Sequence, residues 1–95
     1  MNDQDMTMEQ TIYAWRQIRW PKEGDHPIWD LAKVAEEAGE VVGTGIKVAE
    51  GRATTDTELP DELGDLLIAI SSVAGRHGWT IEQLRAARWA EVRTR

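Results

Sequence analysis

A chain of 95 residues with a formal net charge of −6 and no cysteine is one domain, and one of that size buries a limited share of its surface. The missing cysteines exclude disulfides, thiolate metal sites and cysteine nucleophiles, and the negative balance excludes charge-driven binding to nucleic acid, where phosphate neutralisation supplies most of the affinity. The hydrophobic fraction of 41%, the charged fraction of 29% and five Trp without a single Phe belong to a soluble globular chain, small enough for a second subunit to complete its core.

The first residues, MNDQDM, lack the basic and apolar regions of a secretory signal, and residues 1–6 are expected to form a flexible N-terminus. Thr7 followed by Gln10 is a capping-box pattern, after which Met8, Ile12, Trp15 and Ile18 recur at helical spacing until Pro21, predicting a helix over 8–19. PKEGDHP at 21–27 reads as a loop, and Asp25 or His26 can cap a helix with Pro27 in its first turn. Leu31, Val34, Ala35, Ala38, Val41, Val42 and Val48 or Ala49 extend that second helix over 27–50.

GRATTDT at 51–57 is the next break, and Thr57 can cap a third helix. There Leu59, Leu63, Leu66, Leu67, Ile70, Val73 and Ala74 form a wide apolar stripe ending at Gly78. Its longest apolar run, LLIAI at 66–70, is too short to span a bilayer, so a cytoplasmic protein without a membrane partner is expected. Thr80 with Gln83 repeats the capping box and opens a fourth helix from 81 to the end. Nothing reads as a strand. The expected fold is an all-α, four-helix bundle-like domain spanning 1–95, whose small core is expected to be completed by dimerisation.

The glycines of GEVVGTGIK at 39–47 invite comparison with a phosphate loop. The segment lacks Gly-Lys-Ser/Thr and continues a helical pattern where a strand should precede it, so the glycines are read instead as points where another helix approaches closely.

The acids are placed differently. Glu37 and Glu40 lie one turn apart on the second helix, at the border of its apolar stripe, and Glu62 and Asp65 hold the same relation on the third. A solvated face balanced by Lys33 and Lys47 accounts for any one of these acids, but not for the duplication. If the two helices pack antiparallel, four carboxylates converge and repel one another unless protonated or bound to cations. An all-oxygen cluster suits Mg²⁺, with Mn²⁺ as a substitute.

LAKVAEEAGEVV at 31–42 followed by DELGDLL at 61–67 closely resembles the paired E-x-x-E and E-x-x-D motifs of the MazG-like all-α nucleoside triphosphate pyrophosphohydrolases. That superfamily also holds dimeric dUTPases, dCTP pyrophosphatases and phosphoribosyl-ATP pyrophosphohydrolases. The resemblance covers residues 15–90 and includes HGWTIEQL at 77–84, similar to the family's turn into its last helix. It implies a helical bundle assembled as a homodimer or homotetramer, which hydrolyses a nucleoside triphosphate between the α- and β-phosphates to a monophosphate and pyrophosphate. Glu37, Glu40, Glu62 and Asp65 would hold Mg²⁺, and Glu36 or Glu40 would accept the proton of the attacking water.

The same resemblance makes Lys33 a phosphate contact, with an ion pair to Glu37 as its plain alternative. Trp20 resembles a base-stacking tryptophan of the dCTP-hydrolysing branch, and Trp29 is the second choice; Trp15, Trp79 and Trp89 are assigned to packing, and His26 to capping. Arg88 falls where the family often carries a basic residue that reaches phosphate, across a subunit interface if need be. The family's frequent K-x-x-x-N-x-x-R ending appears here as RWAEVRTR, with Val92 in place of Asn, and the preferred nucleotide stays open. A phosphoribosyl-ATP pyrophosphohydrolase is one alternative, although no His follows Asp65 in LLIAI. A non-catalytic helical oligomerisation or binding module is another. A di-iron bundle would want Glu-x-x-His on two helices, a spacing that His26 and His77 do not provide.

Overall fold

The computed structural model describes residues 5–22, 26–54 and 58–95. Within them the chain forms α1 (Met8–Arg19), α2 (Pro27–Ala49), α3 (Leu59–His77) and α4 (Ile81–Val92), with no strand. The expected flexibility of 1–6 rests largely on residues 1–4, and the caps offered by Asp25 and Thr57 also lie outside the described residues.

The helix ends follow from local chemistry. Thr7 Oγ1 accepts from the Gln10 amide at 3.1 Å while Gln10 Oε1 accepts from the Thr7 amide at 3.0 Å. Thr80 and Gln83 repeat the exchange at 3.1 and 2.9 Å, so two orphan amides are satisfied at each helix start. His26 Nδ1 accepts from the Ile28 amide at 3.0 Å and caps α2. At the end of α3, Gly78 takes φ 78°, a left-handed stop that glycine adopts without a Cβ penalty.

Helix α3 is central and packs against both α1 and α2. Its antiparallel relation to α2 is pinned at both ends. Arg76 Nε, late in α3, donates to Asp30 Oδ2 at 2.6 Å, early in α2, while Lys47 Nζ lies 3.9 Å from Glu58 Oε2 at the other end. Arg16 Nε of α1 donates to the second Asp30 oxygen at 3.3 Å, so one buried carboxylate ties three helices together. The close approach expected at Gly39 and Gly43 does not occur within the chain: no described atom comes within 4 Å of a Cβ placed on either. Gly75 takes that role, because a Cβ there would overlap the Glu9 carbonyl of α1.

The core is thin. Among the described residues Ala69 and Ala74 are the only buried hydrophobics, whereas Leu31, Val42, Leu63 and Leu67 of the expected stripes are exposed. A stripe marks the face a helix must bury, and three helices around α3 leave part of each stripe uncovered. Helix α4 buries no residue and meets the rest near its start, where the Ile81 amide donates to Glu9 Oε2 at 3.3 Å. The radius of gyration of 15.5 Å exceeds the roughly 12 Å of a compact chain of this length. Among the described residues no helix is long and apolar enough to cross a membrane.

Candidate functional site

The antiparallel seam between α2 and α3 brings the acidic motifs together. Carboxylate oxygens of Glu37, Glu62 and Asp65 lie within 4.8 Å of one another, and those of Glu36, Glu37 and Glu40 form a second such group, with Glu37 common to both. Glu37 is buried at 7% exposure and Glu62 is half-buried, while Glu36, Glu40 and Asp65 are exposed. The cluster therefore runs from a buried carboxylate at the seam outward to solvent.

Its electrostatics are unbalanced. Lys33 Nζ sits 3.1 Å from Glu37 Oε1 and 3.4 Å from Glu36 Oε1, and the Glu37 carboxylate raises the Lys33 pKa above its ordinary value against the opposing effect of burial. The buried oxygens Glu37 Oε2 and Glu62 Oε2 have no hydrogen-bond donor. Buried carboxylate oxygens without a donor are costly. The Glu37 charge, followed by desolvation and by Glu62, pushes the Glu40 carboxyl above the usual range. Folding therefore strengthens proton binding at Glu40, and without a cation its contribution to stability falls as pH rises from the ordinary carboxylate pKa to the raised folded one.

This donor set fits a hard divalent cation. All the ligands are oxygens from carboxylates, two of the oxygens are buried and lack donors, and a cation would relieve the repulsion that raises the Glu40 pKa.

Two adjoining clefts open beside the acids. The first, of about 130 Å³, is lined by Ile12, Trp15, Trp20, Ile68, Ala69 and Ser72, with Arg16, Lys33, Glu37 and Asp65 completing its wall. The second, of about 310 Å³, shares Arg16, Trp20 and Lys33 with the first and adds Trp29, Ala32 and Glu36. Trp15 and Trp20 meet edge to face with centroids 5.5 Å apart, and the Arg16 guanidinium lies 5.6 Å from the Trp20 ring centroid.

The candidates named from sequence thus largely converge. Glu36, Glu37, Glu40, Glu62 and Asp65 form the cluster, and Trp20, Trp29 and Lys33 line the clefts beside it. Arg88 does not join them: it lines neither cleft and its Nη1 pairs with Glu91 at 3.0 Å on α4. Trp15, assigned to packing, is half exposed on the first cleft, and Trp89 is exposed on α4. Trp79, also exposed, stacks on His77 at 4.6 Å.

Sequence reasoning missed Arg16 and Ser72, which line the first cleft, and Asp30 and Arg76, linked to Arg16 through the Asp30 carboxylate. Arg16 carried a usable signal, standing one turn beyond Ile12 on the apolar side of α1. Ser72 sits one turn beyond Ala69 on the buried side of α3, yet an isolated serine in a helix is too common to single out. No family model, curated protein or solved structure matches the chain.

Proposed function

We propose that the protein is a Mg²⁺-dependent nucleoside triphosphate pyrophosphohydrolase of the MazG-like all-α kind, acting in the cytoplasm on an NTP or dNTP. The observation that carries this reading is the pair of buried, donorless carboxylate oxygens on Glu37 and Glu62, two acids of a group that α2 and α3 form together beside a tryptophan-lined cleft.

Glu37, Glu40, Glu62 and Asp65 would hold the metal. A magnesium ion held there would supply charge neutralisation for the triphosphate and Lewis acidity at the reacting phosphate. Lys33 lines both clefts and is held by Glu37 and Glu36; a cation neutralising those acids would free its ammonium to contact phosphate oxygens. Water attacks the α-phosphorus, the bond from that phosphorus to the α–β bridging oxygen breaks, and pyrophosphate departs. Of the two candidate bases, Glu36 is engaged by Lys33 and Glu40 belongs to the metal-binding set, so whichever of them stays uncommitted to the cation would take the water's proton. Trp20, between the clefts, offers a face for the base.

A homo-oligomer is part of the proposal. Exposed Leu63, Leu67, Val42 and Trp89, with an α4 that buries nothing, give a second copy ample apolar surface to cover. Sedimentation equilibrium should return at least a dimer at micromolar concentration; a stable monomer contradicts this part.

The activity itself is tested by incubating the protein with Mg²⁺ and a panel of ribo- and deoxyribonucleoside triphosphates. Equimolar monophosphate and pyrophosphate are expected from at least one of them. Release of orthophosphate instead, or no turnover across the panel, contradicts the assignment.

A further inference from the structure

Trp20 lines both clefts and stands where α1 has just ended. Its amide donates to the Arg16 carbonyl at 2.9 Å, but its own backbone has left the helix, at φ −133° and ψ 70°. The residue is 39% exposed, so burial alone does not hold the indole in one orientation. Three side chains lie against it. Trp15 meets the ring edge to face, and the guanidiniums of Arg16 and Arg19 stand 5.6 and 5.4 Å from its centroid, both within cation–π range.

These neighbours differ in how firmly they are held. Trp15 and Arg19 are exposed, and a solvated guanidinium is only weakly attracted to a ring. Arg16 is 9% exposed, and its Nε donates to Asp30 Oδ1 at 3.3 Å. Asp30 is fixed in turn, because Arg76 Nε donates to its other oxygen at 2.6 Å. That shorter bond already joins α3 to α2 without Arg16. What Arg16 adds is a planar cation, anchored from behind, beside Trp20 on the wall of both clefts. Arginine suits such a stacked and ion-paired place, and lysine does not replace it.

We propose that Arg16 is a positioning residue: anchored on Asp30, its guanidinium holds the Trp20 indole as the wall shared by the two clefts, and so sets substrate affinity without entering the metal-borne step. The substrate half of this rests on the nucleotide reading above. The holding of Trp20 is a property of the ligand-free chain and is measured without nucleotide.

The test compares Arg16→Lys with Arg76→Lys, at temperatures where helical ellipticity shows both folded. Each keeps a cation on Asp30 and each disturbs the same buried group. Arg76, however, lines neither cleft and lies against Tyr13, 5.0 Å from its ring centroid. In the ligand-free protein, near-ultraviolet circular dichroism reports aromatic rings held in fixed packing; the share due to Trp20 is the change that Trp20→Phe causes in each background. Arg16→Lys should lose most of that share, and Arg76→Lys should keep it. With Mg²⁺ and a triphosphate that the wild type hydrolyses, Arg16→Lys should raise KM roughly three- to tenfold and leave kcat within about twofold, as loss of a partly desolvated cation–π contact implies. In a Trp20→Ala background the same substitution should leave KM unchanged, since the ring it acts through is gone.

A Trp20 signal that Arg16→Lys leaves intact, or that Arg76→Lys loses equally, overturns the proposal. A rise in KM that persists undiminished in Trp20→Ala also overturns it, because Arg16 would then act on the substrate without Trp20, as does a fall in kcat with KM unchanged. If no triphosphate is hydrolysed, the hydrolase reading falls on its own, and the ligand-free signal still decides whether Arg16 holds Trp20.

Discussion

Glu37→Gln and Asp65→Asn should each lower Mg²⁺-dependent pyrophosphate release by at least about a hundredfold, since loss even of groups that merely support a metal ligand costs 10–100-fold. The fold should survive both changes. Glu37 is the carboxylate common to both acidic groups, and its Oε2 is buried without a donor; an amide there removes like-charge repulsion and can donate to a neighbouring acid. The loss of its contact with Lys33, which is partly exposed, should cost no more than about 1 kcal/mol. Circular dichroism should therefore remain helical while turnover collapses. Wild-type turnover in either variant would contradict the assignment, whereas simultaneous loss of helicity would make the carboxylate structural.

Asp30→Asn should have the largest effect on stability. Asp30 is 2% exposed and accepts from Arg16 at 3.3 Å and Arg76 at 2.6 Å, each guanidinium itself mostly buried. Removing the charged acceptor from such a buried group weakens the compensation of both guanidiniums, at a cost of up to about 3–5 kcal/mol. Against the 5–15 kcal/mol that domains typically have, this is a large share, and in full it would lower Tm by at least about 12 °C for a chain of this length. Thermal unfolding followed at a helical wavelength reads it directly. A change below about 1 kcal/mol would mean that the triad is solvated in solution and contributes no more than an ordinary surface pair. Because Arg16 also lines both clefts, the substitution should loosen nucleotide binding at temperatures where the protein is still folded.

These two predictions separate what the sequence discloses from what it conceals. Helix ends were legible because each is set within a few residues: the capping boxes at Thr7 and Thr80, Pro27 in the first turn of α2, and Gly78 in its left-handed conformation. The acidic cluster was legible for a related reason. Spacing along a helix places Glu37 with Glu40 and Glu62 with Asp65, and only one packing step, antiparallel α2 and α3, was needed to merge them.

The Asp30 triad needed two such steps, with partners 14 and 46 residues away in the chain, and no local pattern announces a pairing of that kind. Apolar stripes have the same weakness. They identified faces on α2 and α3 that want covering, but Val42, Leu63 and Leu67 remain exposed, because periodicity says nothing of whether the covering surface belongs to the same chain. Glycine spacing has the same weakness: Gly39 and Gly43 share one side of α2 yet meet no other described element, while Gly75, isolated in sequence, is where a Cβ would overlap the α1 backbone.

The account stands on α2 and α3 contributing to one cation site, and Mg²⁺ titration calorimetry on the nucleotide-free protein tests that most directly, with Glu37→Gln and Glu62→Gln run beside the wild type. The expected result is a saturable binding isotherm in the wild type that is lost in both variants, although each alters a different helix. Absence of saturable binding in the wild type, or its persistence when either helix has lost its acid, would contradict a shared site.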